Sequence, residues 1–99
     1  MKTADYLENL FVKDPSIVSR KIADEFILIP IRRKAGDIES IYALNDVAAR
    51  IWEIVDGKRC VKEIRDIIIE EFEVSSEEAE TDLVEFLQQL ERIGAIKVT

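Results

Sequence analysis

Apolar residues in the second half of the chain recur at the three- and four-residue spacing of an α-helix. Within residues 44–57, one apolar stripe is formed by Val47, Ala48, Ile51, Trp52 and Val55. Asn45 suits the N-cap of this first helix, because its side-chain oxygen can accept an unpaired backbone N–H. Gly57 is placed to end the helix in a left-handed conformation. The pattern therefore predicts an amphipathic helix that buries the single tryptophan.

Two further helices are predicted after Gly57. The second has apolar positions at Val61, Ile64, Ile68 and Phe72. Ser75 and Glu78 have the spacing of a capping box, with which the third helix begins. The apolar face of the third helix consists of Ala79, Leu83, Phe86, Leu87, Leu90 and Ile93. Gly94 is its predicted C-cap, and residues 95–98 can add a short final strand.

The first half of the chain has the composition of β-strands. Strands are predicted at residues 17–22, 26–31 and 38–44, with a hairpin loop at 34–37. Pro30 should lie at a bulge or where a neighbouring strand has ended, because it cannot donate to a ladder. The predicted fold class is α+β, with an N-terminal three-stranded antiparallel sheet, three helices and a short terminal strand. This is the outline of a winged helix-turn-helix.

Residues 1–15 are predicted to form an N-terminal arm that precedes a domain of residues 16–99. Tyr6, Leu7, Leu10 and Phe11 have the spacing of one face of a short helix. Asp14-Pro15 then favours a break in that helix. Two interpretations remain open, since the arm could cover apolar surface on its own domain or provide a homodimer contact.

Composition excludes several classes of chemistry. The 99 residues, 47% hydrophobic and 35% charged, fit one folded domain. There is no histidine, Cys60 is the single cysteine, and the three glycines lie apart. The sequence thus lacks the commonest general base and metal ligand, a partner for the thiol and a phosphate-binding loop. We expect no catalytic residues, no metal and no cofactor.

The same composition bears on location. No apolar run approaches the roughly 18 residues of a membrane span. Residues 1–15 lack the basic segment and apolar core of a secretion signal. A lone cysteine fits a reducing compartment. We therefore expect a cytoplasmic protein with no membrane partner.

Charge argues against the DNA-binding role that a winged helix usually suggests. The net charge is −7. In the third helix Arg92 is opposed by the acidic residues Glu77, Glu78, Glu80, Asp82, Glu85 and Glu91. Such a helix would repel a polyanion, whose binding needs phosphates neutralised by Lys or Arg. We expect no nucleic-acid partner.

One motif joins the last predicted strand to the helices. Residues 42–45 read YALN, and then come Ala48, IW at 51–52, DG at 56–57 and VKEI at 61–64. Asp82, FL at 86–87, Leu90 and Gly94 follow in the third helix. Over residues 17–98 the chain resembles the PqqD-like family. That family includes pyrroloquinoline quinone (coenzyme PQQ) biosynthesis protein D and the peptide-recognition domains of ribosomal peptide maturation. Cys60 departs from the family's usual Thr or Ser, which exchanges a good N-cap for a weak one.

The resemblance implies a non-catalytic peptide chaperone. Such a protein binds the leader segment of a ribosomally synthesised precursor peptide and presents it to a modifying enzyme, often a radical SAM enzyme. The family's leader adds an antiparallel strand to the third strand, in a groove shared with the third helix. On this chain the ladder would come from the backbone of Ser40, Ile41, Tyr42 and Ala43. The apolar rim would come from Leu83, Phe86, Leu87 and Leu90.

Two other functions are open from the residues alone. One is an acidic winged-helix module for protein interaction or dimerisation, without DNA binding, that associates through the apolar residues of the arm. The other is an enzyme, for which only carboxylates without a site-like spacing are available. The apolar residues of the third helix would then serve core packing, and Tyr42 would cap the sheet with its ring.

Overall fold

The computed structural model describes residues 3–30 and 42–99. Its elements are α1 (Thr3–Tyr6), β1 (Phe11–Lys13), β2 (Ile17–Ile22), β3 (Glu25–Pro30), β4 (Tyr42–Leu44), α2 (Asp46–Ile54), α3 (Val61–Phe72), α4 (Ser76–Arg92) and β5 (Ile96–Val98). The predicted α+β fold with a winged helix-turn-helix outline is confirmed. The predicted loop at 34–37, the beginning of the strand at 38–44 and the site residues Ser40 and Ile41 lie outside the described residues.

Strands β2, β3 and β4 form an antiparallel sheet in that order. β3 is central, and its register with β4 places Leu28 opposite Tyr42 and Phe26 opposite Leu44. Tyr42 and Leu44 pack partly buried against the core, whereas Ala43 between them is exposed, as strand alternation requires. Pro30 is the last residue of β3 and lies opposite the first residue of β2. At the end of a strand its missing N–H removes the least pairing.

The helices begin where the sequence predicts. The Asn45 side chain accepts the Ala48 N–H at 2.8 Å, and the Ser75 hydroxyl accepts the Glu78 N–H at 3.2 Å. The predicted end of α2 is wrong, because the helix stops at Ile54 with Val55 in extended conformation. Gly57 is left-handed (φ 77°), but it lies in the turn that follows.

The core is enclosed by the three long helices, β3 and the arm. Trp52 of α2, Leu28 of β3 and Leu87 of α4 are 3%, 0% and 0% exposed. Ion pairs tie the outer surfaces of the helices together. Arg50 binds Glu71 through two contacts of 2.8 and 2.9 Å, and Arg65 binds Glu80 at 2.8 Å. None of the described helices is long and apolar enough to span a bilayer.

The arm differs from the single helix that its apolar spacing predicts. Its helix ends at Tyr6, and Phe11 begins a strand that pairs antiparallel with β5. The rings of Tyr6 and Phe11 lie 5.7 Å apart and are 4% and 1% exposed. The arm therefore covers apolar surface of its own domain. Pairing with residues at the other end of the sequence overrides the helical spacing.

Backbone carbonyls of the arm also cap α3. The N–H groups of Val61 and Lys62 donate to the carbonyls of Asn9 and Leu7, each at 3.0 Å. The Glu63 carboxylate accepts the N–H of Cys60 at 2.9 Å. Groups that have no partner inside a helix are thus paired at its first turn. These bonds compensate for a cysteine at the N-cap position.

Candidate functional site

The outer edge of β4 is open in the described part of the chain. β4 pairs with β3 on one side, and no described strand lies on the other. An edge strand presents unpaired N–H and C=O groups, to which an extended peptide can add. The predicted edge residues Tyr42 and Ala43 lie on this strand.

Two cavities adjoin this region, and Phe86 of α4 lines both. The first, of about 270 Å³, extends between α4 and the beginning of α2. The second, of about 260 Å³, lies between Tyr42 of β4 and the C-terminal part of α4. We call the two cavities together the α4 groove. Each is below the usual size of a drug-sized ligand site and suits one or two side chains of a peptide.

The amphipathic pattern of α4 explains why Phe86 can face the groove. Leu83, Leu87 and Leu90 are buried on the stripe that faces the core, whereas Phe86 is partly buried at the margin of that stripe. Leu83 also lines the first cavity, and Leu90 lines the second. Leu87 lines neither cavity. The structure thus brings three of the four predicted α4 residues to the groove.

Several groove residues were missed in the sequence. Val47 and Ala48 of α2 line the first cavity, as do Val74 and Ala79. In the sequence these residues have the same apolar spacing as core residues. In the structure Val47 and Ala48 are only partly buried, which distinguishes them from the core. The second cavity also includes Ile93, which is exposed although its spacing predicts the buried face.

Charged side chains stand at the two ends of the groove. Glu78 and Asp82 line the first cavity, together with Asn45. Arg92 lines the second cavity, together with Gln89. All three charged residues are exposed at the surface.

Ionisable groups with shifted pKa values have structural partners elsewhere. The N–H of Lys58 is the main cause that lowers the pKa of Asp56, in the turn after α2. Burial lowers the pKa of Lys13, against the opposing charges of Asp56 and Glu53. The Lys13 ammonium lies 5.3 Å from the ring centre of Trp52. Among the described residues, no charged side chain is buried and no acidic or cysteine cluster could hold a metal.

A comparison with protein families decides the relationship. The model of the family "Coenzyme PQQ synthesis protein D (PqqD)" matches residues 25–96, which include β3, β4 and all three long helices. This chain belongs to the PqqD family. The resemblance predicted from the motif at residues 42–64 is confirmed. The arm, β1 and β2 of this PqqD-family chain lie before the matched region.

Two solved structures resemble this PqqD-family chain. "TbiB1 in Complex with the TbiA(beta) Leader Peptide" has a TM-score of 0.69 and 28% identity, covering 86% of this chain and 93% of that one. "Lasso peptide synthetase B1 complexed with the leader peptide" has a TM-score of 0.71 and 23% identity, covering 88% and 96%. The second likeness shows the fold alone. No curated protein matches the sequence.

Proposed function

We propose that this protein binds the leader segment of a ribosomally synthesised precursor peptide and presents it to a modifying enzyme. The open edge of β4 beside the α4 groove is the observation that carries the proposal. The likeness to TbiB1, whose structure is a complex with a leader peptide, supports it. Membership of the PqqD family is consistent with a role in peptide maturation.

In this proposal the leader adds an antiparallel strand to β4. The backbone of Tyr42 and Ala43, continued by Ser40 and Ile41 outside the described residues, supplies the ladder. These hydrogen bonds depend little on the leader's sequence. Selectivity comes from alternate leader side chains that enter the α4 groove, where Phe86 lines both cavities.

Free energies set the expected affinity. One apolar leader side chain that becomes buried contributes about 1.5–3 kcal/mol. Ordering a disordered leader costs several kcal/mol. The backbone ladder contributes further affinity, and because of the ordering cost we expect a dissociation constant of roughly micromolar rather than picomolar size. Such a complex can release its peptide after modification.

We also infer the class of the partner enzyme and the compartment of this protein. The modifying enzyme is assigned to the radical SAM class on the family resemblance. The protein itself is a cytoplasmic, non-catalytic partner without a cofactor, which accords with the absence of histidine and the lone cysteine. Pull-down of the purified protein with the maturase encoded beside its gene would test the assignment. Binding only to an enzyme without an iron–sulfur cluster would overturn the radical SAM part.

Strand addition has a signature that distinguishes it from other modes of binding. In an added antiparallel strand, alternate residues turn their N–H groups toward the host strand. We expect N-methylation of successive residues in the leader to weaken binding at every second position. Calorimetry on the peptides encoded beside this gene, with and without the maturase, would measure the affinities. Absence of binding by every such leader would remove the proposed function, and binding without the two-residue period would remove strand addition.

The alternative of dimerisation through the arm has less support. Tyr6 and Phe11 are buried inside the protomer, and Leu7 packs against the same core. These side chains are therefore occupied within one chain. The homodimer stays a prediction, which sedimentation equilibrium would test.

A further inference from the structure

We propose that charges at the two ends of the α4 groove select a guest peptide with a defined order of charges. The guest carries a basic residue on the N-terminal side of its apolar residues and an acidic residue on their C-terminal side. This inference rests on the proposed function and deepens it, because it names the chemistry of the peptide. The positions of Glu78, Asp82 and Arg92 relative to the direction of β4 determine this order.

The first cavity has an acidic rim over apolar walls. Glu78 and Asp82 are one helical turn apart on α4, and both line this cavity. Like charges at this spacing repel each other and weaken the helix. Neither carboxylate has an ion-pair partner among the described residues. A cation at this rim would interact with both carboxylates and relieve their repulsion.

The second cavity has a basic rim. Arg92 lines it in the last turn of α4, beside Leu90 and Ile93. Gln88 and Gln89, at the i−4 and i−3 positions, are uncharged. In the described part of the chain the Arg92 guanidinium has no ion-pair partner. A carboxylate of the guest could bind it through two parallel hydrogen bonds.

The direction of β4 determines which end of an added peptide meets the acidic rim and which end meets the basic rim. Tyr42, the first residue of β4, lines the second cavity, and Asn45, the residue after β4, lines the first. β4 therefore runs from the basic end of the groove to the acidic end. An antiparallel guest runs in the opposite sense, from the acidic end to the basic end. Its N-terminal residues meet Glu78 and Asp82, and its C-terminal residues meet Arg92.

The length of α4 sets the spacing of the guest's charges. Asp82 precedes Arg92 by ten positions and Glu78 precedes it by fourteen. These separations are about 15 Å and 21 Å at the rise of an α-helix. An extended peptide covers them in about four to six residues. The guest therefore has a Lys or Arg, a short apolar-containing segment, and an Asp or Glu about four to six residues later.

Helix electrostatics alone would favour acids at the beginning of α4 and a base at its end. That effect does not require the charged residues to line the groove. Glu77 and Glu85 are exposed on the same helix, and neither lines the α4 groove. They provide a control with the same charge and a different position.

A displayed library of random 12-residue peptides tests the inference without knowledge of the natural leader. Peptides are selected separately on four proteins. These are the 99-residue wild type, its Glu78→Lys/Asp82→Lys variant, its Arg92→Glu variant and the control Glu77→Lys/Glu85→Lys. We expect the wild type and the control to enrich peptides with a base before, and an acid after, the apolar segment. We expect the Glu78→Lys/Asp82→Lys variant to select an acid at the N-terminal side, and Arg92→Glu a base at the C-terminal side.

Synthetic peptides give the magnitude. Two peptides of identical composition, one with the base first and one with the acid first, should differ in dissociation constant by about threefold to tenfold, as expected for exposed charge pairs. The difference should shrink at about 0.5 M salt, because surface charges are screened at that ionic strength. Circular dichroism confirms that each variant is folded.

The outcomes separate this inference from the proposed function. Enriched peptides without an order of charges, with the reverse order, or with an order that the groove variants leave unchanged would overturn the inference. The proposed function would survive those results if the leader still bound. If the library gave no peptide and the natural leader also failed to bind, both would be overturned.

Discussion

Strands β1 and β4 are two short extended segments that differ in their strand pairing and in the side chains buried beside them. β1 pairs with β5, buries Phe11 in the core, and belongs to an arm whose carbonyls cap α3. β4 pairs with β3 alone in the described part of the chain, and its open edge lies beside the α4 groove. β1 therefore combines a backbone ladder with a buried side chain inside one molecule. β4 has an edge that no described strand covers and lies beside the α4 groove, and in the proposed function a side chain of the leader would enter that groove.

The contrast indicates what an added strand needs. Backbone pairing over three residues, as in β1 and β5, gives little stability by itself. Burial of an aromatic ring next to the ladder supplies the larger part of the free energy. By the same reasoning, a guest on β4 should depend on a side chain inserted beside Phe86.

The largest effect on stability is expected from a substitution in β1. Phe11→Ala removes a ring that is 1% exposed. We expect the free energy of unfolding to fall by about 3–5 kcal/mol, as for other buried aromatic residues. Urea denaturation would measure it. A loss below about 1 kcal/mol would show that the arm contributes little to the fold.

The open strand should respond in binding. Phe86→Ala enlarges both cavities of the groove, and we expect the leader to lose about 1.5–3 kcal/mol of binding free energy in calorimetry. Phe72→Ala is the matched control, because Phe72 is also partly buried but lines a different cavity, beside Arg50. Equal losses of affinity in the two variants would argue against the α4 groove as the binding surface.

Alanine variants of two glycines would test how closely the arm packs against the rest of the chain. A Cβ on Gly57 would lie 2.8 Å from Cγ1 of Val12 in β1, whereas a Cβ on Gly94 would have no neighbour within 4 Å. Both residues are left-handed, with φ of 77° and 76°. Gly94→Ala should cost about 1 kcal/mol through backbone strain alone. Gly57→Ala should cost about 1–3 kcal/mol more, because β1 must shift.

Thermal and urea unfolding of the two glycine variants would measure that difference. Equal destabilisation would mean that β1 yields without cost. The arm would then be a loosely held segment, and the contrast with β4 would be lost.

The smallest expected effect is at Tyr6. Its hydroxyl donates to the Glu91 carboxylate at 3.1 Å, so Tyr6→Phe should cost about 1 kcal/mol at neutral pH. Burial, and then the charge of Glu91, raise the pKa of Tyr6 above its ordinary value. Tyr6 therefore ionises in the unfolded chain before it ionises in the folded one, and stability falls as the pH rises above about 10. Urea titrations between about pH 7 and pH 11 would measure the free energy of unfolding of the wild type and of Tyr6→Phe. The difference between the two should shrink above about pH 10. A constant difference would contradict the raised pKa.

Local signals were sufficient for much of this fold. Asn45 and Ser75 identified the beginnings of α2 and α4, since each is a capping residue directly before an apolar helical pattern. The edge position of the strand that contains Tyr42 followed from the family resemblance, and among the described residues that strand lies at the edge of the sheet. Phe86 was predicted as a rim residue because it lies on the apolar side of α4, and it lines both cavities of the groove.

Other features depend on contacts that no short window contains. β1 was missed because its partner, β5, lies at the other end of the sequence. Glu73 adopts a left-handed conformation (φ 53°) after α3, which its residue type does not indicate. The burial of Leu87 beneath the groove, rather than in its wall, follows from the packing of α4 against the other helices.

The pairing of β1 with β5 has a consequence for synthesis on the ribosome. Phe11 is translated early, yet its partner Val98 is translated only after all of the residues between them. Until then the nascent chain carries a β1 strand, with its aromatic Phe11, that has no pairing partner. Contacts between residues so far apart form slowly, because a long loop must close first. Completion of the fold therefore awaits translation of β5, and chaperones that recognise exposed aromatic residues have their opportunity in that interval.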